Sequence, residues 1–193
     1  IRSILMVTAT SFMFYSLQKF DLVDIYVVFF TAPLIVSLLS AYFLKDILST
    51  KGIFLMLLSF GSIVYSLSPS MRIFSLDLIF PIVPPICWAL YQFFTKVVSG
   101  DNDPFAAIFY TSILGAIIFS IFIFFNWVPL EKNIFWLYLI LIGVAGFISH
   151  SLIIYAIQLS NLSFVTNFQY SQLVWSTIIN FLIFGVPFDY NKI

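Results

Sequence analysis

The polar side chains of one apolar stretch, residues 163–185, recur at the spacing of an α-helix. They fall three or four positions apart, and therefore on one helical face: Thr166, Gln169, Gln172, Ser176 and Asn180. An amide is costly in hydrocarbon unless protein or water receives it. We therefore predict that this face lines a ligand cavity, with Gln169, Gln172 and the interleaved Trp175 as contacts. The alternative is that the same side chains hydrogen-bond to a neighbouring helix.

A second candidate surface follows a cluster of prolines in residues 81–85. Trp88, Tyr91 and Gln92 share a helical face just beyond it. An indole ring can bind a cationic ligand through its π face, and the amide can hydrogen-bond to a polar one. We predict that these three residues contact a small molecule. Ordinary aromatic packing is an equal alternative, because 20% of the residues are aromatic.

Three prolines lie where a bundle of helices would need to bend. Pro33 is in the middle of the apolar stretch 22–44, while Pro84 and Pro85 precede the aromatic face. Proline removes a backbone donor and kinks a helix. We predict hinges at all three, the alternative being packed kinks that do not move.

The single histidine, His150, lies well inside an apolar stretch. An ionisable residue at that depth is by default a candidate for function, since it would hold a carboxylate or relay a proton. Its helical face also carries Gly143, Gly146 and Phe147. A neutral histidine bonded to a neighbouring helix is the alternative, and we expect the two glycines to allow close helix packing.

Catalysis and metal binding are both disfavoured by what the chain contains. One cysteine and one histidine are too few for most zinc sites or for a nucleophile–base pair. We therefore expect no enzyme, no catalytic residue, no metal and no cofactor. No Asp or Glu falls in the middle of an apolar stretch. Any ion coupling would then use His150, helices outside this chain, or exchange of one solute for another.

The elements that must position these residues are membrane-spanning helices. The chain has 193 residues, of which 62% are hydrophobic and only 8% charged, with zero net charge. Charged residues separate apolar stretches long enough to cross a bilayer, which takes about 20 residues. We predict seven spans, at residues 3–19, 22–44, 52–69, 76–97, 105–127, 134–158 and 163–185.

Two parts of the chain echo each other at an offset of 140 positions. The matched residues are Ser11 with Ser151, Tyr15 with Tyr155, Gln18 with Gln158, and Leu22 with Leu162. The second copy is offset from the first by five predicted spans. Because that number is odd, the second copy is inverted relative to the first. Inverted repeats are how many secondary transporters build a site that opens alternately to each side.

Several motifs resemble those of a known family. The segment from Cys87 to Lys96, CWALYQFFTK, resembles the signature that opens the second half of EamA-type transporters, in the drug/metabolite transporter superfamily. The tetrad from Thr31 to Leu34, followed by Asp46, is similar to the first-half pattern, and the segment from Gln169 to Trp175 is similar to its second-half counterpart. Val186 stands where the family often has Glu.

The resemblance implies an all-α membrane protein, a polytopic transmembrane helix bundle built from two inverted five-helix repeats. Seven of the ten helices are then present, helices 3 to 9. Residues 1–71 would end the first repeat (helices 3–5), and residues 72–193 would form the second (helices 6–9). Helices 1, 2 and 10 are expected to lie outside this chain.

The same resemblance implies a secondary-active transporter in the bacterial inner membrane, working by alternating access. Its substrate would be a small polar organic metabolite, such as an amino acid or a derivative like S-adenosylmethionine. The expected partners are the lipid bilayer, the small-molecule substrate and a second copy in a homodimer, with no nucleic acid. The alternative is a non-transporting seven-helix receptor or assembly subunit, which would have no internal symmetry.

Overall fold

The computed structural model describes residues 1–20, 22–46, 50–67, 79–98, 104–125, 127, 129 and 132–184. Within these ranges the regular structure is entirely helical, which confirms the predicted all-α class. The helices are α1 (Arg2–Ser16), α2 (Leu22–Phe29), α3 (Ala32–Phe43), α4 (Thr50–Leu67), α5 (Ile79–Val98), α6 (Pro104–Phe125), α7 (Ile134–Leu159), α8 (Leu162–Asn167) and α9 (Ser171–Phe184).

Three of the predicted spans meet the length and hydropathy expected of a membrane crossing within the described residues. They are Asp24–Phe43, which includes most of α2 and all of α3, Phe105–Phe125 and Ile134–Leu159. The other four predicted spans are helical over most of the residues that the structure describes, although α1 ends at Ser16, three residues before the predicted end. α1 has 15 residues, about 22 Å at 1.5 Å per residue, which is less than the hydrocarbon thickness.

Two of the predicted spans are interrupted rather than continuous. α2 ends at Phe29 and α3 begins at Ala32, with Pro33 in its first turn. At this break Thr31 folds back on the carbonyl of Val28, to which both its amide (3.0 Å) and its hydroxyl (2.6 Å) donate. Pro33 has no N–H to donate, which favours a helix start over a helix interior. In the seventh span a 3₁₀ turn, Phe168–Tyr170, separates α8 from α9.

α1 packs antiparallel against α5 through aromatic contacts at both ends. Near the end of α1, the Tyr15 ring lies 4.5 Å from the ring of Phe80 at the start of α5. Near the beginning of α1, the Arg2 guanidinium lies 5.6 Å from the ring of Tyr91. These contacts fix the level of α5 relative to α1, and therefore the depth at which Tyr91 lies.

The centre of the bundle is where α3, α5, α7 and α8 meet. A cluster of fully buried side chains joins these four helices: Val36, Ala89, Ile157 and Leu162. Ser37 and Ser40 on α3 are also completely buried. Small residues at such positions let helix backbones approach closely, which is the usual basis of helix association in membranes.

α3 ends in a compact cap around Asp46. Lys45 adopts a left-handed backbone conformation with φ of 55°, which stops the helix. The Asp46 amide then donates to the carbonyl of Ser40 at 3.3 Å, and the Ser40 hydroxyl donates to the Asp46 carboxylate. The acidic residue that the family resemblance singled out therefore closes a helix end.

α5 runs without interruption through its prolines. Pro81, Pro84 and Pro85 are all buried within Ile79–Val98. Pro84 and Pro85 have no N–H, so the carbonyls of Phe80 and Pro81 lack their usual intrahelical donors. A hinge at Pro84 and Pro85 stays a prediction, as does one at Pro33, although α3 does begin beside Pro33.

Candidate functional site

A cavity of about 290 Å³ lies between α1, α5, α6 and α7. It could hold about ten water molecules at 30 Å³ each, and it falls near the lower limit for small-molecule pockets. Most of its lining is apolar, with hydroxyl groups and one imidazole interspersed. The lining residues are Met6, Val7, Thr10, Tyr91, Ile108, Thr111, Ser112, Gly115, Phe119, Gly143, Gly146, Phe147 and His150.

The imidazole of His150 supplies the most polar group in this lining. Its Nδ1 lies 3.0 Å from the carbonyl oxygen of Gly146, one turn earlier in α7. Because a carbonyl oxygen only accepts, this bond requires the proton on Nδ1. Nε2 is buried and has no hydrogen-bond partner among the described residues. In the uncharged ring, Nε2 is then a free acceptor for a ligand N–H or O–H.

An aromatic cluster holds this imidazole in place. The Trp88 ring stacks on Tyr91 with centroids 5.5 Å apart and meets His150 edge-on at 5.8 Å. Tyr91 and His150 line the cavity, whereas Trp88 contacts both rings but does not line the cavity. The indole Nε1 of Trp88 is buried and also lacks a partner within the described chain. Trp88 therefore positions the two lining rings.

Gln92 and Gln169, both predicted ligand contacts, bind each other. The Gln169 Nε2 donates to the Gln92 Oε1 at 3.0 Å, and this bond joins α5 to the 3₁₀ turn. Gln92 is fully buried, and its Nε2 lacks a partner within the described ranges. Neither glutamine lines the 290 Å³ cavity. The pair is therefore a polar link between helices beside the cavity.

Gln172 and Trp175 lie outside the cavity, on the exposed surface of α9. The Trp175 side chain is 61% exposed, whereas Thr166 on α8 is fully buried. A 3₁₀ turn advances 120° per residue instead of 100°, so the three residues Phe168–Tyr170 rotate the following helix by about 60°. Thr166 and Gln172, which the predicted face places together, accordingly differ in exposure.

Gly143 and Gly146 shape the cavity wall of α7. The predicted face is confirmed, because both glycines line the cavity together with Phe147 and His150. A Cβ built on either glycine would meet nothing within 4 Å. The prediction that they allow close helix packing is therefore wrong. They leave open space beside the imidazole.

Sequence reasoning missed the contribution of α1 and α6. Thr10, Thr111 and Ser112 add hydroxyl groups to the lining. The Arg2 guanidinium reaches α6, where it donates to the carbonyl of Ala107 and to the hydroxyl of the lining residue Thr111 at 3.2 Å. The polar pair Thr111-Ser112 in a largely apolar helix was the sequence feature that could have indicated this part of the lining.

A larger groove of about 750 Å³ lies farther along α1 and α6. Aromatic side chains dominate its lining, which has no imidazole or guanidinium: Ser11, Phe12, Phe14, Tyr15, Gln18, Phe80, Phe119, Phe122 and Ile123. An aromatic groove of this kind suits a lipid chain or another helix better than a polar metabolite. The smaller cavity beside His150 is therefore the better candidate site.

Comparison with known proteins identifies the family. The chain matches the EamA-like transporter family over residues 76–193, which is more than half of its length and includes α5 to α9. No curated protein matches it significantly. The matched region contains Tyr91 and His150, which line the cavity, and Trp88, which contacts both. Together with the apolar helices, this match shows that the chain belongs to the EamA-like transporter family and is a helical membrane protein of the drug/metabolite transporter type.

Proposed function

We propose that the protein is a secondary-active transporter that carries small polar organic metabolites by alternating access. The substrate would be an amino acid or a derivative such as S-adenosylmethionine. The observation that carries this proposal is the cavity beside His150, which offers an unpartnered acceptor inside a bundle of membrane helices. Unsatisfied polar groups at such a depth mark substrate pathways.

Alternating access is supported by the two interrupted spans. The α2–α3 break at Phe30 and the turn ending at Tyr170 are separated by the same 140 positions as the sequence echo. Transporters with inverted repeats use broken helices of this kind near the midplane. We propose that residues 1–71 and 72–193 belong to two such repeats, and that Pro33, Pro84 and Pro85 are their hinges.

The cavity volume favours the smaller of the proposed substrates. Space for about ten water molecules accommodates an amino acid. S-Adenosylmethionine is considerably larger, so the cavity would have to widen to admit it. Among the proposed contacts, Tyr91 and His150 would touch the substrate and Trp88 would support them. Gln92 and Gln169 would become contacts only if their mutual hydrogen bond opened.

We place the protein in a bacterial inner membrane, surrounded by lipid. The side chains of α7 are largely exposed and apolar from Ile134 to Ile148, as expected of helices that face lipid or further helices. The alternative, a receptor without transport activity, would not require two interruptions related by the sequence echo. We therefore favour the transporter.

The proposal is tested by measuring flux in liposomes that contain the full-length protein as its gene encodes it. The panel should contain labelled amino acids, their derivatives and S-adenosylmethionine. We expect saturable flux of at least one compound, and loss of that flux in His150→Ala. The exposed variant Lys132→Gln is the control and should transport normally. Absence of flux for every compound would contradict the proposal.

A further inference from the structure

The guanidinium of Arg2 lies against the wall of the cavity without being part of its lining. It contacts two residues that line the cavity, lying over the Tyr91 ring at 5.6 Å and donating to the Thr111 hydroxyl at 3.2 Å. Its remaining bond goes to the carbonyl of Ala107. All of these partners are uncharged. Within the described ranges, no carboxylate lies at salt-bridge distance from Arg2.

A guanidinium in this position retains binding capacity. Arg has five N–H donors in a planar fork, and both bonds to α6 start from Nη2. Among the described residues no acceptor takes the donors on Nη1 and Nε, so these remain for a ligand. Charged side chains within membrane helices usually pair with one another or with backbone carbonyls. A carboxylate is the anion whose geometry best matches the fork, because it can accept two parallel hydrogen bonds.

Lys96, on α5, differs from Arg2 in the groups that its charge contacts. Its Nζ donates to the carbonyls of Ile157 at 2.7 Å and Ser160 at 2.8 Å, at the end of α7. Lys96 therefore stabilises a helix terminus. Arg2 instead contacts two residues that line the cavity, Tyr91 and Thr111.

Hydrogen-bond donors therefore lie at one place beside the cavity, and a hydrogen-bond acceptor lies at another. Arg2 offers donors beside Tyr91 and Thr111, and the Nε2 of His150 is an acceptor in the wall. Apolar side chains lie among the remaining lining residues, including Val7, Ile108 and Phe119. We propose that Arg2 binds the carboxylate of the transported molecule, so that the substrate is a small carboxylate with an apolar body. This inference rests on the proposed transport function.

Arg2 also has a structural contact with α6, so the test must separate recognition from folding. Matched probes do this: L-phenylalanine against L-phenylalaninamide, and 3-phenylpropionate against 3-phenylpropanamide. The members of each pair share a body and differ in the carboxylate. A structural defect in the protein would weaken both members equally, whereas loss of carboxylate recognition changes the ratio of their dissociation constants.

The experiment measures these dissociation constants by calorimetry on the full-length protein in detergent, alongside flux in liposomes. We expect each acid to bind about tenfold more tightly than its amide, since charge-assisted pairs are the strong ones. In Arg2→Gln the ratio should fall to about one, and Arg2→Lys should keep part of it. Lys132→Gln, at an exposed position, should keep all of it.

Equal binding of acids and amides to the unmodified protein would overturn this inference. So would an unchanged ratio in Arg2→Gln, or a lack of binding by every probe. If flux of any other metabolite is still observed in those cases, the transport proposal stands and only the role of Arg2 fails. Absence of all flux would remove the transport proposal as well.

Discussion

The Tyr170 hydroxyl donates a hydrogen bond to the carbonyl oxygen of Phe30 at 3.1 Å, and their rings lie 6.0 Å apart. The two residues are 140 positions apart, the same offset as the sequence echo. Each lies at the interruption of its span, and both belong to one buried cluster with Met56.

The contact between Phe30 and Tyr170 locates the symmetry axis expected of an inverted repeat. A residue and its symmetry mate can touch only where both lie beside the symmetry axis. The contact between Phe30 and Tyr170 therefore marks where the axis of the proposed repeats would pass. A rocking motion of one repeat against the other would displace atoms at this point least.

Replacing Tyr170 with Phe should test how much this contact stabilises the bundle. The variant keeps the ring packing but loses the hydroxyl, which leaves the Phe30 carbonyl without this donor. We expect a loss of about 1 kcal/mol in the free energy of unfolding, measured by denaturation in detergent. Tyr42→Phe is the control, because Tyr42 is 81% exposed. Equal stability of Tyr170→Phe and Tyr42→Phe would show that the hydrogen bond contributes nothing.

A leucine at Gly146 should fill the cavity without unfolding the protein. A Cβ there meets nothing within 4 Å, so the added side chain would enter the space beside His150. We expect flux to fall by at least about tenfold, with thermal stability unchanged or higher, since Gly is a poor helix former. Gly61→Leu is a matched control because Gly61 is also helical with open space around it, on α4. Comparable flux in the two variants would argue against this cavity.

The tautomer of His150 can be read directly by nitrogen NMR. His150 is the single histidine of this chain, so selective ¹⁵N-histidine labelling gives one ring to assign there. We expect the proton on Nδ1, which donates to Gly146, and a bare Nε2 whose chemical shift changes when substrate binds. A proton on Nε2 in the free protein would contradict the assignment of this atom as the acceptor.

Lys96 should contribute to stability rather than to substrate selection. Lys96→Gln removes the charged donor from the carbonyls of Ile157 and Ser160. We expect a loss of about 1–2 kcal/mol in the free energy of unfolding. The preference between an acid and its amide should be retained. A changed preference with normal stability would place Lys96 in the binding site.

The fold was largely predictable because charges and hydrophobic lengths mark the helices. α1 ends at Ser16 and α2 begins at Leu22, two or three residues before the boundaries that Lys19 and Asp24 predict. α6 and α7 lie within one or two residues of their predicted bounds. The interruptions were not predicted, because Pro33 alone does not show whether a helix bends or restarts. Nothing in the segment Phe168–Tyr170 marks a 3₁₀ turn.

The candidate site was predictable only in part. His150 and Tyr91 were found because polar or aromatic groups on an apolar helix attract attention. Gln172 lies outside the cavity, because the 3₁₀ turn departs from 3.6 residues per turn and rotates α9 relative to α8. The contact of Arg2 with α6 could not be predicted, because it depends on tertiary packing across more than 100 positions.

Thiol labelling tests most directly whether the cavity beside Gly146 opens alternately to the two sides of the membrane. Cys87 is the only cysteine of this chain, so Cys87→Ala provides a background in which Gly146→Cys is its single reactive thiol. A membrane-impermeant maleimide should label this thiol when added from either side, and substrate should reduce both rates. Labelling from one side only, with and without substrate, would contradict alternating access through this cavity.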